Sequence, residues 1–450
     1  MPCVLTVLAV VLLIALLILL IGWGRVPPFA AFMAIALTGA LCFGMPLNDI
    51  GKSLERGVGD MLGGLTAIIC FGAMFGRIIA DSGAARSISR ALIGAVGDRF
   101  ILIALALTGL TVGISLFYSV GFVVLVPLVF SLADRTKLAA VHLGIPLVCG
   151  LSIAHGFLPP HPAPVALIKL FGADMGLVLI YGLIVGGIAL LVAGPLLALT
   201  LKDITPQAAG RPEQSPVVVM DDRRSEHADP GAFNSCCTAL LPVALFAAAT
   251  AGAYVSHGSL PFAPAVAFVG QPVVVLLISV IYATFSLGVL GGMNLKILMQ
   301  AYGASLRDVS AILLILAGAG ALKQVFVDTG VSEQLGAWLQ TVPLQPLILG
   351  WLIAMVIRIA LGSATIAGLT AASIMVPIVT ARHVNPNLMV LSIGAGSLMC
   401  SHVNDSGFWL FKEYFNLDLR DTFRSWTLME SLAGGVGLLC VLSLNLFLPS

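Results

Sequence analysis

Ser401, His402, Asn404 and Asp405 crowd into one short stretch of the segment Gly396–Phe415, with long apolar runs on either side. Polar side chains at membrane depth cost several kcal/mol each unless they are paired. A helix that only crossed lipid would not carry them. Val403, Phe408 and Trp409 interleave with the polar residues, which argues against a simple solvated loop. The pattern predicts a helix broken inside the membrane, its freed backbone and side chains lining a cavity. Asp405, with His402 beside it, is the candidate proton carrier. The plainer role for Asp405 is to cap the helix that restarts at Ser406 or Gly407.

Three further groups could do chemistry. In Gly150–Pro164 (GLSIAHGFLPPHPAP), four prolines follow His155 and Gly156, two of them on either side of His161. Each proline removes a donor and disfavours helix before it, so the helix must break there. Half-helix ends and free amides then become ligands for an anion; a loop at the membrane surface is the plainer alternative. His155 and His161 could also hold a metal, but no third ligand lies nearby in sequence. Gly362-Ser363-Ala364-Thr365 places hydroxyls beside a glycine that lets a ligand approach the backbone; alternatively, small residues there serve tight packing. Arg358 sits one turn earlier in an apolar run, where it could clamp a substrate carboxylate bidentately or pair with an aspartate.

The elements that must position these residues are transmembrane helices. The chain has 450 residues, 59% hydrophobic and 10% charged, with mean hydropathy +1.08. Soluble domains carry about 25% charged residues. The net charge of +1 says nothing about partners, and nothing in the sequence suggests nucleic-acid binding. Eight cysteines show no CxxC and no repeated metal spacing, and read as small apolar fillers. Residues 4–21 form a long apolar run with no basic start, read as a retained first span.

Apolar runs predict spans at 4–22, 26–43, 61–80, 141–158, 177–200, 238–256, 266–289, 308–327, 388–403 and 427–449. Two blocks, 100–132 and 346–380, are too long for one crossing. Each has a small or polar kink: Gly113 to Ser115 with Tyr118-Ser119, and Gly362 to Thr365. Each fits a re-entrant hairpin, which makes Ser115 and Ser119 candidate binding residues. An offset of 247 residues relates Asp81 to Asp328 and His155 to His402. The expected organisation is therefore a transmembrane repeat over 1–200, a polar cytoplasmic linker at 201–235, and a second repeat over 236–450. Each repeat holds five crossings, a hairpin and a broken helix. Five is odd, so the second repeat is inverted. With both termini outside, only four cations (Lys52, Arg56, Lys169 and Arg382) fall in outside loops, against fifteen in or beside inside loops.

Three strings carry a resemblance: Gly150-LSIAHGFLPPHPAP-Val165, Gly362-SATIAGLTAA-Ser373 and Ser401-HVNDSGFWLFKEYF-Asn416. They resemble the gluconate permease (GntP) family of bacterial proton symporters, with weaker similarity over most of the chain. The resemblance implies a carrier for gluconate or a related small hydroxy-carboxylate, coupled to protons, in the bacterial inner membrane. Some members look built for other substrates, including D-serine. Members often carry an acidic residue in a first-hairpin pattern like LFFEVGF; here Leu116-Phe-Tyr-Ser119-Val-Gly-Phe122 has Ser119 at that place. A neutral hydroxyl cannot carry a proton at this pH range, which makes Asp405 the better coupling candidate here.

The combined expectation is an all-α polytopic membrane protein with two inverted-topology repeats, working as a secondary active transporter and not as an enzyme. Its partners are a small organic anion, a proton and the lipid bilayer, with no cofactor and no metal. His155, Gly156, His161, Ser115, Ser119, Gly362, Ser363, Thr365, Asn404 and Arg358 are the expected binding residues; Asp405 and His402 are the expected coupling pair. The alternatives are sodium coupling with another small carboxylate or D-amino acid, and, remotely, an intramembrane metalloenzyme at His155, His161 and Asp405. A homodimer is compatible with this architecture, although no dimer motif is recognisable.

Overall fold

The computed structural model describes residues 3–204, 230–256, 263–331, 334, 343–403 and 405–448. The described residues are helical, with no strand. Asn404 and most of the expected linker fall outside them.

In chain order the helices are α1 (Cys3–Gly22), α2 (Pro28–Cys42), α3 (Leu47–Asp81), α4 (Ala84–Val96), α5 (Ile101–Ser115), α6 (Tyr118–Thr136), α7 (Ala140–Phe157), α8 (Pro162–Phe171) and α9 (Met175–Leu196). After the linker come α10 (Ala232–Ser256), α11 (Ala263–Val269), α12 (Pro272–Val289), α13 (Leu295–Asp328), α14 (Pro346–Leu361), α15 (Ala364–Ala381), α16 (Pro386–Leu398), α17 (Ser406–Tyr414) and α18 (Leu419–Phe447). Among the described residues, nine helical stretches are long and apolar enough to cross a membrane, and five shorter apolar helices accompany them.

Both long apolar blocks are broken where small or polar residues interrupt them. The first breaks at Leu116-Phe117, between α5 and α6; the second at Gly362-Ser363, between α14 and α15. Gly362 ends α14 with φ at +74°, a conformation glycine adopts without steric cost. The proline-rich stretch breaks α7 from α8, and the polar stretch breaks α16 from α17. Pro162 and Pro164 lie in the first turn of α8, where a missing amide is tolerated. Helices α3 and α13 run well beyond the spans expected from hydropathy, because their polar first turns continue the same helix.

From α3 and from α13 onward, the two halves share an order of a long helix, a broken pair, a broken helix and a closing helix, with α4 following the long helix in the first half. Contacts repeat as well. Helix α5 packs on α7, and α14 packs on α16. The halves also interlock crosswise. Helix α8 packs on α15, while Phe415, at the end of α17, meets Phe122 and Phe130 of α6.

Helices α7 and α16 form the centre. Every residue of α7 is buried except His155, and every residue of α16 after Pro386 is buried. Both are apolar around their whole circumference, as a helix enclosed by others must be. They cross with backbones almost touching: a Cβ on Gly394 would stand 2.5 Å from the Gly156 carbonyl oxygen. Small residues permit such crossings where no hydrophobic effect drives helices together in lipid. The crossing brings the two helix breaks side by side.

Candidate functional site

The breaks surround a cavity of about 450 Å³. Small-molecule sites generally fall within roughly 300–1,000 Å³. Three helices begin at its wall. Tyr118 and Ser119 open α6, Ala364 and Thr365 open α15, and Ser406 and Gly407 open α17; all six line the cavity. The first amides of a helix have no intrahelical acceptor and carry partial positive charge. Three such starts make the cavity a receptor for an anion.

The second half supplies the fixed charges. The Arg358 guanidinium, at the end of α14, lies 2.5 Å from an Asp405 carboxylate oxygen. It also donates to the Gly362 carbonyl freed by the break. Asp405 in turn accepts from the Ser401 hydroxyl and caps α17 through the Gly407 amide at 3.0 Å. The cap and the ion pair therefore use one side chain. Ser401 is held from α18: Trp426 donates to its hydroxyl at 2.8 Å, and Thr427 donates to its carbonyl at 2.5 Å. Polar backbone is stable in a membrane protein when protein groups satisfy it.

The first half supplies mainly neutral groups, Arg77 of α3 apart, which pairs with Asp81 at 2.7 Å. His155 and Ser152 of α7 and Tyr118 of α6 line the cavity. Buried polar atoms are normally hydrogen-bonded. Here the His155 Nδ1, the Tyr118 hydroxyl, the Arg358 Nε and one Glu430 oxygen have no protein partner, and all four residues line this cavity.

Of the expected binding residues, the cavity gathers His155, Ser119, Gly362, Ser363, Thr365 and Arg358, together with Asp405. Others lie beside it. His161 donates through Nε2 to the Gly113 carbonyl at 2.6 Å. Ser115 donates to the Ala239 carbonyl at 3.1 Å. Gly156 packs against Leu398. His402 donates through Nε2 to the Ile359 carbonyl at 3.0 Å and is not in the cavity wall. Asn404 lies outside the described residues. Ser363 caps α15, accepting from Ile366 at 3.4 Å.

Sequence reasoning missed Glu430, Ser152, Arg77 and Asp308 in the wall. For Glu430 there was a signal, the one acidic residue inside the apolar run 427–449. Among the described residues, no group of three His, Cys, Asp or Glu side chains could hold a metal ion.

A cavity lined by broken helices and three helix N-termini, set among membrane-spanning helices, is the site of a multi-pass membrane permease. The GntP family permease profile matches residues 4–447. The chain belongs to that family, whose members are carriers and not enzymes, and it is a multi-pass protein of the bacterial inner membrane. It is 40% identical over 446 residues to a high-affinity gluconate transporter of Escherichia coli, covering 99% of this chain and 100% of the relative. It is 42% identical over 436 residues to the Gnt-II system L-idonate transporter of E. coli, covering 96% of each. A gluconate permease of Pseudomonas aeruginosa is 38% identical, covering 98% of this chain and 97% of the relative. The same fold occurs in the YdaH transporter of Alcanivorax borkumensis, with a TM-score of 0.68 at 15% identity, covering 94% of this chain and 99% of that one. Neisseria gonorrhoeae MtrF gives 0.69 at 14% identity, covering 92% and 94%.

Proposed function

We propose that the protein imports gluconate or a closely related small hydroxy-carboxylate by proton symport. The observation that carries this proposal is the convergence of three helix N-termini on one cavity. The carboxylate of the substrate is drawn to those amides and to the Arg358 guanidinium. Its hydroxyls meet neutral donors and acceptors, chiefly His155, Tyr118, Ser119 and Thr365. A site of this kind rejects analogues lacking the hydroxyls, because its own buried groups would be left unpaired. The names of the relatives support this substrate class.

Transport follows alternating access, with two repeats of opposite orientation moving against each other around the cavity. Repeat boundaries of 1–200 and 236–450 fit the repeated element order. Asp405 serves this scheme as an anchor for Arg358 and α17, and His402 as a support for the end of α14.

Uptake of labelled gluconate into proteoliposomes tests the proposal. Accumulation under an imposed pH gradient, abolished by a proton-conducting ionophore, is the expected result. Accumulation under a sodium gradient alone would replace proton coupling with sodium coupling. No uptake under either gradient, with L-idonate also inert, would overturn the substrate class.

A further inference from the structure

We infer that Glu430 carries the coupled proton. The inference rests on the proposal that the chain is a proton-coupled carboxylate carrier, and it assigns the residue. Glu430 lies near the start of the long apolar part of α18, only 2% exposed, in the wall of the substrate cavity. One of its oxygens accepts from the Ser152 hydroxyl of α7. The other has no partner in the protein. Among the described residues no cation stands within ion-pair distance of it. The groups that face it are Tyr118 from α6, Cys149 and Ser152 from α7, Arg358 from α14 and Asp405 at the start of α17.

Asp405, a half-buried carboxylate of the same cavity, is differently held. It is committed to Arg358, to Ser401 and to the amide of Gly407. Protonating it would break an ion pair and uncap a helix. Protonating Glu430 breaks neither, because the Ser152 hydroxyl can serve a carboxylate or a carboxylic acid. The unpartnered oxygen is where the proton binds.

The link to transport is electrostatic. A substrate carboxylate and an ionised Glu430 in one low-dielectric cavity repel each other. A proton on Glu430 removes that repulsion. Proton and anion therefore favour each other's binding, and the favour is reciprocal. The carboxylate gains one proton on the loading side and loses it when the anion leaves, so one proton accompanies one anion.

In proteoliposomes, wild type is expected to accumulate gluconate under a pH gradient. Glu430→Gln is expected to fall to an internal-to-external ratio of about one while retaining measurable gluconate exchange, since only the coupling is removed. Glu430→Asp, which keeps a carboxyl group, is expected to restore accumulation in part. Accumulation by Glu430→Gln equal to wild type would overturn the assignment and leave the carrier function standing. Failure of wild type to accumulate under a pH gradient would instead overturn proton coupling, and this assignment with it. A measurement on the unaltered protein guards against a misfolded variant. An apolar carbodiimide, which reacts with protonated buried carboxyl groups, is expected to label Glu430, with the label lost as the pH is raised. Labelling of Asp405 with Glu430 unlabelled would overturn the assignment.

Discussion

The two helix breaks, 158–161 and 399–405, share a supporting device. In the first, His161 donates to the carbonyl of Gly113, two residues before the end of α5. In the second, His402 donates to the carbonyl of Ile359, two residues before the end of α14. Each histidine satisfies a backbone acceptor near the end of the helix its own break packs beside. The 247-residue offset matches His402 with His155, but the hydrogen bonds match it with His161. What differs is the rest of each break. The second is locked by the Arg358–Asp405 pair, whereas the first leaves His155 with an unpartnered nitrogen at the cavity. The second half fixes the Arg358–Asp405 charges at the cavity, and the first, apart from Arg77 paired with Asp81, offers neutral hydrogen bonds. A hydroxy-carboxylate needs both.

Breaking the charged half has the largest expected effect. Arg358→Ala leaves Asp405 buried without its cation, a loss of about 3–5 kcal/mol in stability and of all uptake. Arg358→Ala with Asp405→Ala should recover part of the stability, read as thermal unfolding in detergent, while uptake stays absent. Full additivity of the two single losses would show that the pair is not coupled. Next comes the neutral half. His155→Gln should raise the KM for gluconate about tenfold, the equivalent of roughly 1.4 kcal/mol, with unfolding unchanged. An equal loss of stability would mean that His155 is a packing residue.

The supporting histidines separate the two halves further. His161→Ala should cost about 1–3 kcal/mol in stability, because the buried Gly113 carbonyl loses its extra donor. His402→Gln should change gluconate uptake less than about twofold, since its site is more exposed and off the cavity. A large uptake defect in His402→Gln would return His402 to the coupling pathway.

Much of the fold was legible. Pro159, Pro160, Pro162 and Pro164 cannot occupy a continuous helix, and Ser401 to Asp405 cannot idle in lipid, so both breaks could be placed. The kinks at 113–119 and 362–365 were equally visible, because glycines and hydroxyls interrupt runs of leucine and isoleucine. The site was legible in part. Arg358, Asp405, His155 and Thr365 announce themselves as polar groups in apolar surroundings. Ser115, His161 and His402 do so too, yet they serve backbone carbonyls of neighbouring helices, and sequence spacing cannot reveal which carbonyl a break leaves free. Glu430 hid for the opposite reason. It stands near the beginning of a span, where an acidic residue usually marks a water-facing end, and only tertiary packing of α18 on α7 draws it inside.

The anchoring of Trp426 has a practical consequence. This side chain is 2% exposed, donates to Ser401 and lies 5.6 Å from the Tyr118 ring across the cavity wall. Trp23, by contrast, is 83% exposed, and Trp409 is 42% exposed. An indole in that setting emits at the blue edge of tryptophan fluorescence, well separated from the exposed ones. Substrate entering the cavity changes the polarity beside this ring, whereas Trp23, Trp351 and Trp409 do not line it. The protein thus carries its own optical probe of occupancy, readable without any label as a selective change in blue-edge emission.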